Sequence, residues 1–112
     1  MRTPFTFEGL FRLMKKKLLQ LRAQIDAVDK QLLVLLAERF RIIERVASHK
    51  AEHNLPARIP SRIKTVIDRR EAAGRGLGLP RRSAAHIWEL IVEESCRYEE
   101  WLMDQLHRDN KL

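Results

Sequence analysis

The stretch that decides the fold runs from Met14 to Lys50, MKKKLLQLRAQIDAVDKQLLVLLAERFRIIERVASHK. Within it Met14, Leu18, Leu21, Ile25, Val28, Leu32 and Leu35 recur at alternating spacings of four and three. Side chains spaced in this way fall on one stripe of an α-helix, the pattern of a helix packed lengthwise on another helix. No proline or glycine lies between Leu10 and Leu55, so the usual causes of a sharp bend are missing. The spacing predicts a first helix from about Phe7 to His53, about 70 Å long at 1.5 Å per residue, against roughly 30 Å for the diameter of a small domain.

Outward from that helix, two breaks divide the remainder: Leu55-Pro56 to Pro60, and the run Gly74-Arg75-Gly76-Leu77-Gly78-Leu79-Pro80. They predict a second helix from about Ser61 to Ala73 and a third from about Pro80 to His107, with proline suited to a first turn. The chain is expected to be all-α with three helices, one very long. Helices two and three are too short to cover the stripe of the first from end to end. The missing surface is expected from a second copy, in an intertwined homodimeric bundle whose two-fold axis creates two equivalent sites.

Composition agrees with helices and narrows the partners. At 112 residues and 45% hydrophobic, the chain holds a single domain that is neither disordered nor fibrous. Its one cysteine, Cys96, excludes an internal disulfide framework and leaves a cytoplasmic location as the expectation. No secretory signal is expected, because Glu8 and Arg12 interrupt the apolar N-terminal residues. No apolar run approaches the roughly 20 residues of a membrane span. The net charge of +7 suits nucleic acid, an anionic membrane surface or an anionic metabolite. The basic residues are scattered among 15 acids, without zinc-finger spacing or an aromatic stacking platform, so no nucleic-acid partner is expected. His49, His53, His86 and His107 are read as surface or interface residues and no metal is expected. The Gly74 to Gly78 run lacks the elements of a phosphate loop.

Polar residues stand where the stripe calls for apolar ones. Continued beyond Leu35, the spacing lands on Arg39, and from there steps of four, three and four lead through Ile43 and Val46 to Lys50. Eleven residues turn a helix through about three full turns, so Arg39 and Lys50 share a face. Unpaired buried cations are costly, so this pair requires either protein carboxylates, with Glu38, Glu44 or Glu94 as candidates, or an anionic ligand. On the third helix the stripe Ala84, Trp88, Ile91, Leu102 is interrupted by Ser95, with Glu99 one turn further on. These two could present a hydroxyl and a carboxyl to one cavity, or be a back-bonded serine and a solvated acid. Arg22 lies about 25 Å along the axis from Arg39 and about 100 degrees around it, so it reaches that site only from a second subunit. Cys96 is read as a small packed residue.

Taken together, Leu21-Arg22, Ile25-Asp26-Ala27-Val28-Asp29, Leu32 to Arg39, Lys50, Arg62 and Ile91-Val92-Glu93-Glu94-Ser95 with Glu99 resemble the all-helical chorismate mutase family. The resemblance covers about Leu18 to Leu102. It implies an extension over residues 1–15 that continues into the first helix, and a mutase-like domain over 16–108. It also implies the unimolecular rearrangement of chorismate to prephenate, which needs no cofactor, metal or nucleophile. Arg39 and Arg22 of the second subunit are implied to bind the two carboxylates, and Lys50 to donate to the ether oxygen of the breaking bond. Arg62 and Ser95 complete the polar lining. Catalysis of this kind rests on holding a compact conformer and on meeting developing charge with preplaced donors.

Two features depart from the family pattern. Glu99 stands where many bacterial relatives carry a glutamine that donates to the ether oxygen, so a donor role requires its protonated form and activity that falls as pH rises. Ile59 and Ile63 stand where better-known bacterial mutases use acids near the ring hydroxyl. They leave isochorismate pyruvate-lyase and aminodeoxychorismate mutase, both on the same fold, as alternatives. A basic helical dimer that binds nucleic acid or a partner enzyme is the non-enzymatic one.

Overall fold

The computed structural model describes residues 6–110. Three helices form: α1, Phe7–Glu52; α2, Pro60–Gly76; and α3, Ser83–Asn110. No strand occurs among the described residues. Of the extension expected over residues 1–15, the first five lie outside the described residues, and from Phe7 onward it is the start of α1.

The chain divides into two units at Glu38 and Arg39. In the first unit, the part of α1 up to Glu38 leaves its whole stripe uncovered: Met14, Leu18, Leu21, Ile25, Val28, Leu32 and Leu35 are each 42 to 60% exposed. Helical propensity accounts for the secondary structure of this unit, while its apolar surface has no cover within the unit.

The second unit, from Arg39 on, contains the core. Val66 of α2 packs with Val92 and Cys96 of α3, flanked by Ile63 and Trp88. Ala47, Ala84 and Ala85 are fully or almost fully buried, small residues where helices approach closely. Phe40 meets Tyr98 edge-on with ring centroids 5.6 Å apart, and the Tyr98 hydroxyl donates to Glu44 at 2.8 Å. These contacts hold the last turns of α1 against α3.

The helix ends show where local sequence was misleading. α1 stops at Glu52 because Asn54 adopts a left-handed conformation with φ of 54°, and the Leu55 amide then returns to the Lys50 carbonyl at 2.9 Å. α2 starts at Pro60, one residue before the expected Ser61, since proline fits a first turn. It also runs through Gly74 to Gly76 instead of ending at Ala73. Gly74 is not a breaker here: a Cβ added to it would lie 2.7 Å from Ala84 Cβ and 3.1 Å from Leu79 Cδ1. Its missing side chain permits contact between α2 and α3, and the chain turns at Gly78, with φ of 85°.

α3 starts at Ser83 instead of Pro80. Arg82 is left-handed, with φ of 69°, which no helix continues through. The Glu71 carboxylate of α2 accepts from the amides of Arg82 at 2.9 Å and Ala85 at 3.2 Å. An acid borrowed from another helix thus serves the N-terminal amides of α3. Those amide contacts, the Arg82 bond foremost, hold the Glu71 carboxyl below its ordinary value.

Candidate active site

A cavity of about 220 Å³ lies within the second unit, where the end of α1 meets α2 and α3. Arg39, Ile43, Val46 and Lys50 of α1 line one side. Ile59 from the connection and Arg62, Ile63 and Val66 from α2 line another, and Val92, Ser95, Cys96 and Glu99 of α3 close it. Of the residues singled out from sequence, Arg39, Lys50, Ile59, Arg62, Ile63, Ser95 and Glu99 therefore share one lining. Arg22 lies in the first unit and is exposed.

The polar groups are ordered by direct contacts. Arg39 donates through a terminal guanidinium nitrogen to Ser95 Oγ. Ser95 Oγ donates in turn to the Ile91 carbonyl at 2.7 Å, so the serine is both back-bonded to its helix and engaged with the arginine. Lys50 Nζ donates to Glu99 Oε1 at 2.7 Å and to the Ala57 carbonyl at 2.8 Å. Ser95 and Glu99 are only 3 and 4% exposed. The acid that pairs with Lys50 is thus Glu99 and not Glu38, Glu44 or Glu94. Glu44 is bonded to Tyr98, and Glu94 is paired with Arg97.

The charge in this lining does not balance. Three cations, Arg39, Lys50 and Arg62, face one carboxylate, Glu99. Among the described residues no carboxylate pairs with Arg39, whose contact is with a hydroxyl. Burial above all, and then the nearby Arg70 and Arg62, disfavour its charge and lower its pKa, while Glu99 opposes them. Cys96, buried in the same wall, has its thiol pushed up chiefly by burial and then by Glu99, which keeps it protonated and suits packing rather than nucleophilic attack.

The connection between α1 and α2 carries a contact that sequence reasoning missed. Arg58 bonds Glu93 with both terminal nitrogens, at 2.7 and 3.1 Å, and Glu100 through Nε at 2.7 Å. It lies between Ala57, whose carbonyl accepts from Lys50, and Ile59, which lines the cavity, so this fork ties the connection to α3. The four histidines are all exposed, in keeping with a surface reading. His49, Glu52 and His53, at i, i+3 and i+4, bring one ligand atom each to within 4.8 Å of one another.

A model of the chorismate mutase type II family matches residues 21–100, a span that includes every lining residue of the cavity. The chain belongs to the chorismate mutase type II family. It is 31% identical over 91 residues to a 4-amino-4-deoxychorismate mutase of Streptomyces venezuelae, covering 81% of this chain and 88% of that protein. It is 30% identical over 98 residues to a bifunctional chorismate mutase/prephenate dehydratase of Buchnera aphidicola subsp. Schizaphis graminum, covering 88% of this chain and 26% of that protein. A chorismate mutase of Methanocaldococcus jannaschii is 26% identical over 98 residues, covering 88% of this chain and 99% of that protein. The chain thus spans about a quarter of the bifunctional relative and nearly all of the two others. The cavity lies wholly within the matched span, and its lining carries more cations than carboxylates. Among the described residues no helix is long and apolar enough to cross a membrane.

Proposed function

We propose that this chain is a chorismate mutase that converts chorismate to prephenate as a homodimer. The observation that carries the reading is the charge of the cavity: three cations against one carboxylate, within walls of Ile, Val and Cys side chains. Such a lining favours a small dianion over water or a neutral ligand.

In this reading Arg39 binds one carboxylate with the nitrogens that Ser95 leaves free, since a guanidinium offers five donors in a fixed fork. Arg22 of the second subunit binds the other carboxylate, and Arg62 adds to the lining. Lys50 has three N–H donors, of which Ala57 and Glu99 use two. The third is left for the ether oxygen, where negative charge grows as the C–O bond breaks and the new C–C bond forms. Electrons move within the substrate alone, so the protein's tasks are to hold the folded conformer and to meet that charge. Glu99 orients Lys50 through Oε1, and when protonated it donates from Oε2 while still accepting from Lys50.

Dimerisation follows from the uncovered stripe of the first unit, which a second copy would bury. A cytoplasmic location, with neither nucleic acid nor membrane as partner, goes with this reading and with the unpaired Cys96.

A second substrate is favoured by one specific observation. Ile59 and Ile63 both line the cavity, and neither can hydrogen-bond a ring substituent. The amino analogue of chorismate, on which the Streptomyces relative is named to act, is therefore the alternative substrate. Incubation with chorismate, 4-amino-4-deoxychorismate and isochorismate, followed by product identification, tests the proposal. Prephenate as the product with the highest kcat/KM supports it, the amino analogue of prephenate as that product replaces it with the second reading, and salicylate with pyruvate or no product refutes both.

A further inference from the structure

The last turn of α1 carries a second constellation, none of whose residues lines the cavity. His49 and Glu52 line a shallow depression with Glu44, Arg45 and Ser48, whereas Lys50, between them in sequence, lines the cavity. The helical repeat brings His49, Glu52 and His53 to one side of the turn. Their ligand atoms lie within 4.8 Å of one another, and the two imidazole centroids are 4.3 Å apart at a tilt of 34°.

The hydrogen bonding prepares this group for a metal. His53 Nδ1 lies 2.8 Å from the His49 carbonyl oxygen. A carbonyl only accepts, so Nδ1 is the nitrogen that bears the proton in the neutral ring, and Nε2 is left with its lone pair outward. A backbone carbonyl in this role is a common way of fixing the tautomer and orientation of a ligating histidine. Among the described residues the Glu52 carboxylate and the His49 ring make no hydrogen bond or ion pair, so neither must give up a partner to bind an ion. The C-terminal end of a helix, where these residues sit, also favours positive charge.

We propose that His49, Glu52 and His53 form a site for a divalent transition-metal ion, zinc being the best match. Two imidazole nitrogens and one carboxylate oxygen are a borderline donor set that suits zinc and its neighbours and not magnesium or calcium, which take oxygen ligands. Closing the ligand atoms onto one ion needs only rotation of exposed side chains, and water completes the tetrahedron. The bound ion links the side chains on either side of Lys50, across the turn where Asn54 ends the helix. It binds the folded turn and not the unfolded chain, so it stabilises the protein without entering the cavity.

The test is a calorimetric titration of tag-free, chelator-treated full-length protein with zinc chloride, with cobalt(II) absorbance as an independent report of tetrahedral ligation. One saturable zinc ion per chain is expected, together with a rise in melting temperature. His49→Ala and His53→Ala are each expected to weaken binding at least about tenfold, as loss of metal-site groups does, and Glu52→Gln to weaken it in a chain that keeps its fold and metal-free activity. His86→Ala and His107→Ala are expected to bind as the parent does. Absence of saturable binding, or affinity unchanged in both His49→Ala and His53→Ala, overturns the proposal whatever the outcome of the substrate assays.

Discussion

Replacing Lys50 with alanine removes three things at once: the partner of Glu99, the donor to the Ala57 carbonyl, and the N–H proposed above for the ether oxygen. The first affects stability. The Glu99 side chain is 6% exposed, and Lys50 only 15%, so Lys50→Ala leaves a buried acid without its cation. Removing one member of a buried pair costs about 3–5 kcal/mol, and the low end applies because water enters the space vacated by the lysine. The third affects turnover. Loss of one preplaced donor to developing negative charge raises a barrier by about 2.7–4 kcal/mol, a fall in kcat of about 10²–10³. A cation at that position is worth at least the upper figure.

The two effects separate in the Glu99→Gln background, where a neutral amide takes the place of the acid. There Lys50→Ala is expected to cost about 1 kcal/mol in urea unfolding, near the value of an ordinary hydrogen bond. It should still lower kcat about a thousandfold, followed by the disappearance of chorismate absorbance, with the helical circular dichroism signal unchanged. If kcat in that background stays within about tenfold of the Glu99→Gln parent, Lys50 is not the ether-oxygen donor. If the double variant is no more stable than Lys50→Ala alone, the coupling of Lys50 to Glu99 is refuted instead.

Glu99→Gln by itself is expected to keep turnover, because the amide oxygen accepts from Lys50 while its N–H is free to donate to the ether oxygen; a fall in kcat of more than about tenfold refutes the donor role. Gly74→Ala and Gly76→Ala are expected to act in opposite directions. The first forces Cβ to 2.7 Å from Ala84 Cβ and destabilises by up to about 2 kcal/mol once the better helix propensity of alanine is subtracted. The second meets nothing within 4 Å and gains up to about 1 kcal/mol in thermal or urea unfolding. Glu71→Gln should lower the urea midpoint at neutral pH and lose that effect in acid. The Glu71 carboxyl is held below its ordinary 4.5, so the stability it contributes is present above that pH and disappears as pH falls through the lowered value. Val28→Glu, on the uncovered stripe, is expected to shift the proposed dimer toward monomer in sedimentation and to remove activity in parallel, each buried Val being worth about 1.5–3 kcal/mol.

How much of this was legible depended on how far each signal reached along the chain. α1 was readable because seven apolar residues repeat with one period and nothing interrupts them. The shared face of Arg39 and Lys50, and of Ser95 and Glu99, followed from the same helical geometry. The end of α2 was not readable, since Gly74 looks like a breaker and is instead a contact point, a distinction that depends on Ala84 and Leu79 from the next segment. The start of α3 was misjudged for a similar reason: its amides are served by Glu71, in the preceding helix. Of the carboxylates offered as counter-ions, Glu38, Glu44 and Glu94, none pairs with Lys50, because packing turns the Glu99 face of α3 toward it and leaves Glu94 to Arg97. Ala57 and Arg58 carry no side-chain pattern at all, as their roles come from the path of the connection.

The cavity is built against its own stability, and that bears on its function. An acid opposite Arg39 would offset the burial, and after it the repulsion from Arg70 and Arg62, that now disfavour its charge, yet the lining supplies a hydroxyl. A second carboxylate would make the empty protein more stable and would occupy the guanidinium fork that a ligand carboxylate needs. Glu99 does not have this effect, because its contact is with Lys50 and leaves that lysine a donor to spare. The single acid therefore orients one cation without neutralising the other two. The dianionic ligand proposed above would supply the missing charge and so link binding to stability: on entering the cavity it would relieve repulsion present only in the folded state, and stability would rise with ligand concentration as RT ln(1 + [L]/Kd). Sites that sacrifice stability in this way are the ones where function, rather than folding, has set the residues.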